Sequence, residues 1–276
     1  MIPVSVLIVT KNAADGLEAT LESLEDFGEI LIVDSNSTDG TKMIAAAHKV
    51  PVISYQWNGQ YPKKRQWCLE NVPTENDWIL FVDADEIVTD ALKREITETI
   101  TDTPHAAFFL RGQPVFCGKR LNHGRWNNKI VLFRKGALRY PELPDTHTAM
   151  GEIEGHVQPF VDGTVGQLKN ALIHETAENL DAWIDRHQRY AAWQADIETA
   201  NTNLAASERG ARRLAKTIFS ALPLRPVMVF IDSYVWKKGA LDGSAGFHYA
   251  TARAFFYWMA AAKKTANANK RRETGT

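Results

Sequence analysis

Through the first hundred residues, short β-branched runs trade places with stretches of helical spacing, a rhythm that few architectures accommodate. Val4–Val9 is rich in valine, isoleucine and leucine, as a strand buried on both faces of a sheet must be. Asp15–Phe27 has helical spacing through Leu17, Leu21 and Leu24, and Gly28 follows as a stop signal. Ile30–Val33, Val52–Tyr55 and Trp78–Val82 are the next strands, and Asp39–His48, Pro62–Asn71 and Thr89–Ile100 the further helices. Ser37, Thr38 or Asp39 is available to cap the helix that follows it, and Thr89 caps another. Strand and helix alternating at this interval predict right-handed βαβ units around a parallel sheet, a Rossmann-like α/β half.

After residue 104 the pattern changes. Ala106–Leu110 and Lys129–Phe133 have strand character, whereas residues 139–166 are rich in proline and glycine. A loop of that length inside a compact domain is usually there for function. Helical patterns return at Asn179–Asn201, Ala211–Leu222, Val227–Lys237 and Phe247–Lys264, with breaks at Pro223, Pro226 and residues 239–246. We expect a catalytic domain over residues 1–204, with halves meeting near 104, and a helical extension over 205–276.

Charge divides along the same line. The net charge of −1 conceals a balance of −10 over residues 1–204 and +9 over residues 205–276. A basic tail on an acidic body predicts an anionic partner, nucleic acid or phospholipid. No nucleic-acid-binding module is visible, and FFYWM at 255–259 between Arg253 and Lys263–Lys264 suits a lipid headgroup interface. Packing on the body or on another subunit is the alternative. Cys68 and Cys117 are too few and too isolated for a disulfide framework or a zinc site, which fits a reducing, cytoplasmic setting. The apolar N-terminal run lacks a preceding basic region and a cleavage site, so it is expected to be a strand rather than a leader.

Four polar features fall at the ends of the predicted strands. WILFVDADE at 78–86 delivers Asp83 and Asp85, one residue apart, at a strand's carboxyl end. Open α/β sheets bind their ligands there, and hard oxygen donors of this kind suit Mg²⁺ or Mn²⁺ with substrate phosphates. The plain alternative is an acidic turn before a helix. Asp34 and Asp39, in VDSNSTDGT at 33–41, stand where a carboxylate accepts hydrogen bonds from a nucleoside, or where an Asx turn caps a helix. Thr10, Lys11 and Asn12 end the first strand. Lys63, Lys64 and Arg65 crowd a helix N-terminus, where a nearby anion would relieve the conflict with the helix dipole.

Taken in order and spacing, SVLIVTKN, ILIVDSNSTDGT and WILFVDADE resemble glycosyltransferase family 2, in the branch containing lipopolysaccharide-core glucosyltransferases. The likeness covers residues 2–100 strongly and continues more loosely through Leu172–His174 to GALDG at 239–243. It implies a GT-A fold, a mostly parallel sheet flanked by helices, with a UDP-sugar donor and inversion at the anomeric carbon. Thr10, Asn12, Asp34 and Asp39 would then belong to the nucleoside site, and Lys64, Arg65 and Asp83 to the diphosphate and sugar. Asp85 would be the direct metal ligand, with Asp83 and His174 as further candidates. Arg65 departs from the branch, which usually has asparagine there.

Inversion needs a base for the acceptor hydroxyl, and Glu154, Asp145 and Glu152 are the mid-chain candidates, Glu154 first. The branch often has a glutamate after the histidine here, whereas this chain reads GEIEGHV at 151–157. The acceptor implied is a lipid-linked, lipopolysaccharide or exopolysaccharide glycan, reached from the inner face of a bacterial cytoplasmic membrane. A sugar nucleotidyltransferase would carry a glycine-rich phosphate loop after the first strand, which TKNAA at 10–14 lacks. A catalytically silent scaffold that kept the fold is the other alternative; metal-dependent donor binding separates the two.

Overall fold

The computed structural model describes residues 1–143, 151–154, 157–175, 180–199 and 224–274. The chain divides into two units: residues 1–114, 127–140 and 159–176, and residues 115–126, 141–158 and 177–276. The expected boundary at 204 lies outside the described residues.

In the first unit, β1 (Ile2–Thr10) runs parallel to β2 (Phe27–Asp34) on one side and to β4 (Trp78–Asp83) on the other. β3 (Val52–Ser54) extends the parallel set beyond β2. Val4, Val6, Leu7 and Ile8 of β1 are fully buried, which explains why that run lacks polar alternation. The helices α1 (Ala14–Glu22), α2 (Thr41–Ala47) and α3 (Lys64–Asn71) connect these strands. After the two-residue β5 (Glu86–Ile87) comes α4 (Asp90–Thr101), whose N-cap Thr89 accepts the Leu92 amide at 3.3 Å.

The remaining strands are β6 (Ala107–Phe116), β7 (Lys119–Arg120), β8 (Asn127–Arg134), β9 (Leu138–Arg139), β10 (Phe160–Val161) and β11 (Val165–Glu175). β6, β8 and β11 continue the sheet in the order β3-β2-β1-β4-β8-β6-β11-β5, with β8 antiparallel to both β4 and β6 and β7 paired to β6, while β9 and β10 form a separate antiparallel pair. The α/β architecture is therefore a mixed sheet whose parallel half comes first in the chain and whose antiparallel half follows.

Several elements differ from their expected bounds, α1 and β6 the most instructive. α1 stops at Glu22 rather than Phe27, because two tight turns (Leu24 amide to Leu21, Phe27 amide to Leu24) return Phe27 to the sheet opposite Ile2. A Cβ on Gly28 would lie 3.1 Å from the Ile2 carbonyl, so this glycine serves close strand approach, not a helix stop. β6 runs on to Phe116 through Gly112 and Pro114: pairing with β8 ends at Gly112, so the missing Pro114 amide costs no bond to β8.

The second unit is largely helical. α5 (Leu180–Thr199), α6 (Arg225–Ile231) and α7 (Ser244–Thr274) carry it, with a π-helical turn at Asp232–Trp236 and a 3₁₀ turn at Gly239–Asp242. Pro226 sits in the first turn of α6, where a missing amide is harmless. Glu198 of α5 pairs with Arg225 at 3.2 Å and Lys264 at 3.5 Å. Phe116, Leu121, Trp183, Ala245, Tyr249 and Ala252 form a small core. Asp242 of the GALDG segment is buried and accepts the amides of Asn122 and His123 at 3.2 and 2.8 Å, a structural task. The helix expected at Ala211–Leu222 lies outside the described residues. No described helix is long and apolar enough to cross a membrane.

Candidate active site

Parallel register brings the carboxyl ends of β1, β2 and β4 level, with Thr10 opposite Asp34 and Val9 opposite Asp83. Each strand is apolar over the residues just before its end, so the polar chemistry of the strand ends collects on one edge of the sheet.

At the end of β2, Asp34 is completely buried. It accepts the Thr10 hydroxyl at 2.9 Å, the Ser37 amide at 2.9 Å and the Ser37 hydroxyl at 2.5 Å. Burial pushes its carboxyl up, but these hydrogen bonds and the Lys42 cation 3.6 Å away outweigh it and hold the group below the usual range. Asn12 takes a left-handed conformation (φ 51°), which asparagine tolerates, and its side chain accepts the Thr38 amide at 2.9 Å. Its own amide donates to Ser37 Oγ at 2.8 Å. Asp39 accepts the Ala14 amide at 3.1 Å and the Thr41 hydroxyl at 2.5 Å, tying the starts of α1 and α2 together. The loops after β1 and β2 thus form one hydrogen-bonded platform.

The cations at the start of α3 point into this edge. Lys64, 2% exposed, donates from Nζ to the Thr10 carbonyl at 2.5 Å and to Ser35 Oγ at 2.7 Å. Arg65 donates from Nη2 to Asp83 Oδ1 at 2.5 Å, with its guanidinium 5.6 Å from the Phe81 ring centre. The charge crowding anticipated at this helix start is relieved within the chain: one short helix fastens the ends of three strands.

The second oxygen of Asp83 accepts from Lys129 Nζ at 2.7 Å, and the same ammonium reaches Glu86 Oε1 at 3.3 Å. Glu86 is buried and accepts the Asp83 amide at 3.0 Å. Burial would raise Asp83's pKa, yet Lys129 and then Arg65 hold its carboxyl far below the ordinary range. Burial likewise opposes the Lys129 charge, but Asp83 and Glu86 overcome it and keep the ammonium protonated. Glu86 pairs in register with His174, because β5 lies antiparallel to β11. His174 Nδ1 is buried without a hydrogen-bond partner, 3.5 Å from Asp85 Oδ1 and 3.7 Å from Glu86 Oε1.

The acidic turn is itself held by α1. Thr20 Oγ1 donates to the Ala84 carbonyl at 2.9 Å. A Cβ on Gly16 would stand 2.7 Å from that oxygen, so only glycine permits the approach. Lys129, Glu86, Gly16 and Thr20 did not emerge from the sequence reading. A lone lysine in an apolar strand of a chain with a local carboxylate surplus was a usable hint for Lys129.

Thr10, Asn12, Asp34, Asp39, Lys64, Arg65, Asp83, Asp85 and His174 all belong to the first unit, along the ends of β1, β2 and β4 and the adjoining β5–β11 pair. Glu152 and Glu154 belong to the second unit, both buried, and Asp145 lies outside the described residues. Among the described residues, no three His, Cys, Asp or Glu side chains are already arranged to hold a metal. The donors present still fit one: a carboxylate with a neighbouring buried, unpartnered imidazole nitrogen is a partial set that phosphate oxygens and water complete for Mg²⁺ or Mn²⁺.

Residues 5–152 match the family model described as Glycosyl transferase family 2. The chain is similar to the lipopolysaccharide core biosynthesis glycosyltransferase LpsC of Rhizobium meliloti (strain 1021), at 28% identity over 95% of this chain and 92% of LpsC. It is also similar to an uncharacterized glycosyltransferase of Rickettsia bellii (strain RML369-C), at 36% identity over 34% of this chain and 31% of that one. The crystal structure of S. aureus TarS superimposes with a TM-score of 0.51 over 96% of this chain and 53% of TarS; at 16% identity, that is a likeness of fold. With more than half of its length matched by the family model, the chain belongs to glycosyltransferase family 2, and it is a glycosyltransferase of GT-A fold.

Proposed function

We propose that this enzyme transfers a sugar, with inversion, from a UDP-sugar to a lipid-linked, lipopolysaccharide or exopolysaccharide glycan. One observation carries the reading. Asp34, Lys64, Arg65, Asp83 and Asp85 gather at one sheet edge, and the buried, unpartnered Nδ1 of His174 faces Asp85 at 3.5 Å. The buried Asp34, kept ionised by Thr10 and Ser37, is the acceptor for nucleoside N–H or O–H groups. Asn12 and Asp39 shape that pocket by joining the two loops around it.

Asp83 already has both oxygens engaged by Arg65 and Lys129, so Asp85, with His174, is the ligand pair for Mg²⁺ or Mn²⁺. When bound, the cation would neutralise the charge that develops on the leaving diphosphate. Arg65 and Lys129, held by Asp83, add fixed positive charge beside it. A carboxylate, Glu154 first and Asp145 or Glu152 otherwise, takes the proton from the acceptor hydroxyl.

The similarity to LpsC over nearly all of both chains favours an envelope glycan as acceptor. A peripheral position on the cytoplasmic face of the membrane follows from such an acceptor and from the basic character of residues 205–276. Asp85→Ala tests the reading: metal-dependent UDP binding should disappear with the circular dichroism spectrum unchanged. Retained metal-dependent binding would remove Asp85 from the site.

A further inference from the structure

Between Leu224 and Phe247 the second unit turns a run of apolar side chains toward water. Leu224 is 65% exposed, Val227 54%, Val235 57%, Trp236 66% and Leu241 67%. Val227, Ile231 and Val235 recur at four-residue intervals, so they share one side of the helical run 225–236. Two tight turns, the Lys238 amide to the Val235 carbonyl at 3.0 Å and the Leu241 amide to the Lys238 carbonyl at 2.9 Å, fold Leu241 back beside them. Phe247, also exposed, lies with its ring 5.8 Å from Phe230 and 5.7 Å from Tyr234. So many exposed apolar side chains within one short stretch mark an interaction site.

Charge identifies the partner. Lys237 and Lys238 are exposed immediately after Trp236. Residues 224–247 hold three cations, Arg225 (paired with Glu198), Lys237 and Lys238, against the acids Asp232 and Asp242. Both acids are already engaged: Asp232 takes both donors of the Arg125 guanidinium at 2.6 Å each, and Asp242 is buried on backbone amides. The face therefore offers apolar side chains beside Lys237 and Lys238, which pair with no carboxylate among the described residues. A second copy docked by two-fold symmetry would bring the same lysines toward each other. A nucleic acid would leave the leucine and valines in water.

We propose that this face, residues 224–247, seats the enzyme on an anionic lipid bilayer, with the apolar stripe and Trp236 in the headgroup zone and Lys237 and Lys238 against lipid phosphates. The proposal rests on the reading of a membrane-borne acceptor given above. It is tested by flotation of the whole protein with mixed phosphatidylglycerol–phosphatidylcholine vesicles and with pure phosphatidylcholine vesicles, without nucleotide or metal.

Flotation with the mixed vesicles alone is expected. Val235→Ser with Trp236→Ser should weaken it roughly tenfold or more. Lys237→Gln with Lys238→Gln should do the same at low salt, each lysine contributing about fivefold. UDP binding by calorimetry should be unchanged in both variants, since all four side chains are exposed in the helical unit. Failure of the parent protein to float, or flotation indifferent to both pairs of substitutions, overturns the proposal. So does a dimer in solution that Trp236→Ser dissolves, since the face then belongs to a second copy. If the parent protein floats as expected but binds no UDP, the donor reading falls and the membrane surface stands.

Discussion

At the scale of single residues, the Asp83 cluster is a set of mutually compensating, partly buried charges. Two cations and two carboxylates are assembled there, and removing one leaves the others uncompensated. Lys129→Met should therefore destabilise the fold by about 3 kcal/mol in urea denaturation and weaken UDP binding. A Lys129→Arg variant should recover most of the stability. Asp34 makes a pH-dependent contribution of known sign. Its folded pKa lies below the unfolded value of about 3.9, so its share of stability is complete above that value and is lost as pH falls through the folded pKa. Asp34→Asn should flatten the acid limb of a stability–pH profile below about pH 4 and weaken UDP binding at neutral pH. An unchanged acid limb would mean that Asp34 carries no net ion-specific stabilisation.

At the scale of elements, the site depends on α1 as much as on the strands that end in it. Gly16→Val would drive a side chain into the Ala84 carbonyl, 2.7 Å from the new Cβ, and displace the turn that carries Asp83 and Asp85. We expect a stability loss of about 1–3 kcal/mol and a larger fractional loss of donor binding. Thr89→Ala, which removes only a helix cap, should cost about 1 kcal/mol and leave donor binding intact.

The same elements separate what was legible from what was not. β1, β2 and β4 are continuous apolar runs that end in polar residues, so their burial and the edge carrying Thr10, Asp34 and Asp83 could be read directly. β11 was legible only as the apolar Leu172–His174, because most of its residues are half-exposed and carry no strict alternation. Lys129 was hidden for a different reason: its meaning depends on β8 lying beside β4, and no local pattern specifies which strands become neighbours across so long a separation. Gly16 looked like an ordinary helix residue until the Ala84 carbonyl was placed against it.

At the scale of the whole molecule, donor groups and candidate bases are drawn from different units of the chain. Thr10, Asn12, Asp34, Asp39, Lys64, Arg65, Asp83, Asp85 and His174 belong to the strand-rich unit, Glu152 and Glu154 to the helical one. If Glu154 takes the acceptor proton, Glu154→Gln should spare UDP-sugar binding while lowering transfer by at least about a hundredfold. Full transfer by that variant moves the role to Asp145 or Glu152. The sequence charge divides elsewhere, −10 over residues 1–204 and +9 over residues 205–276.

The central claim is a cation-assisted nucleotide-sugar site at the ends of β1, β2 and β4. The measurement that meets it most directly is calorimetric titration of UDP and a panel of UDP-sugars into the enzyme, with Mn²⁺ and again with excess EDTA. Binding should require the metal, prefer one sugar and be lost in Asp85→Ala. A well-folded enzyme that binds no UDP ligand, or binds equally well in EDTA, would contradict it.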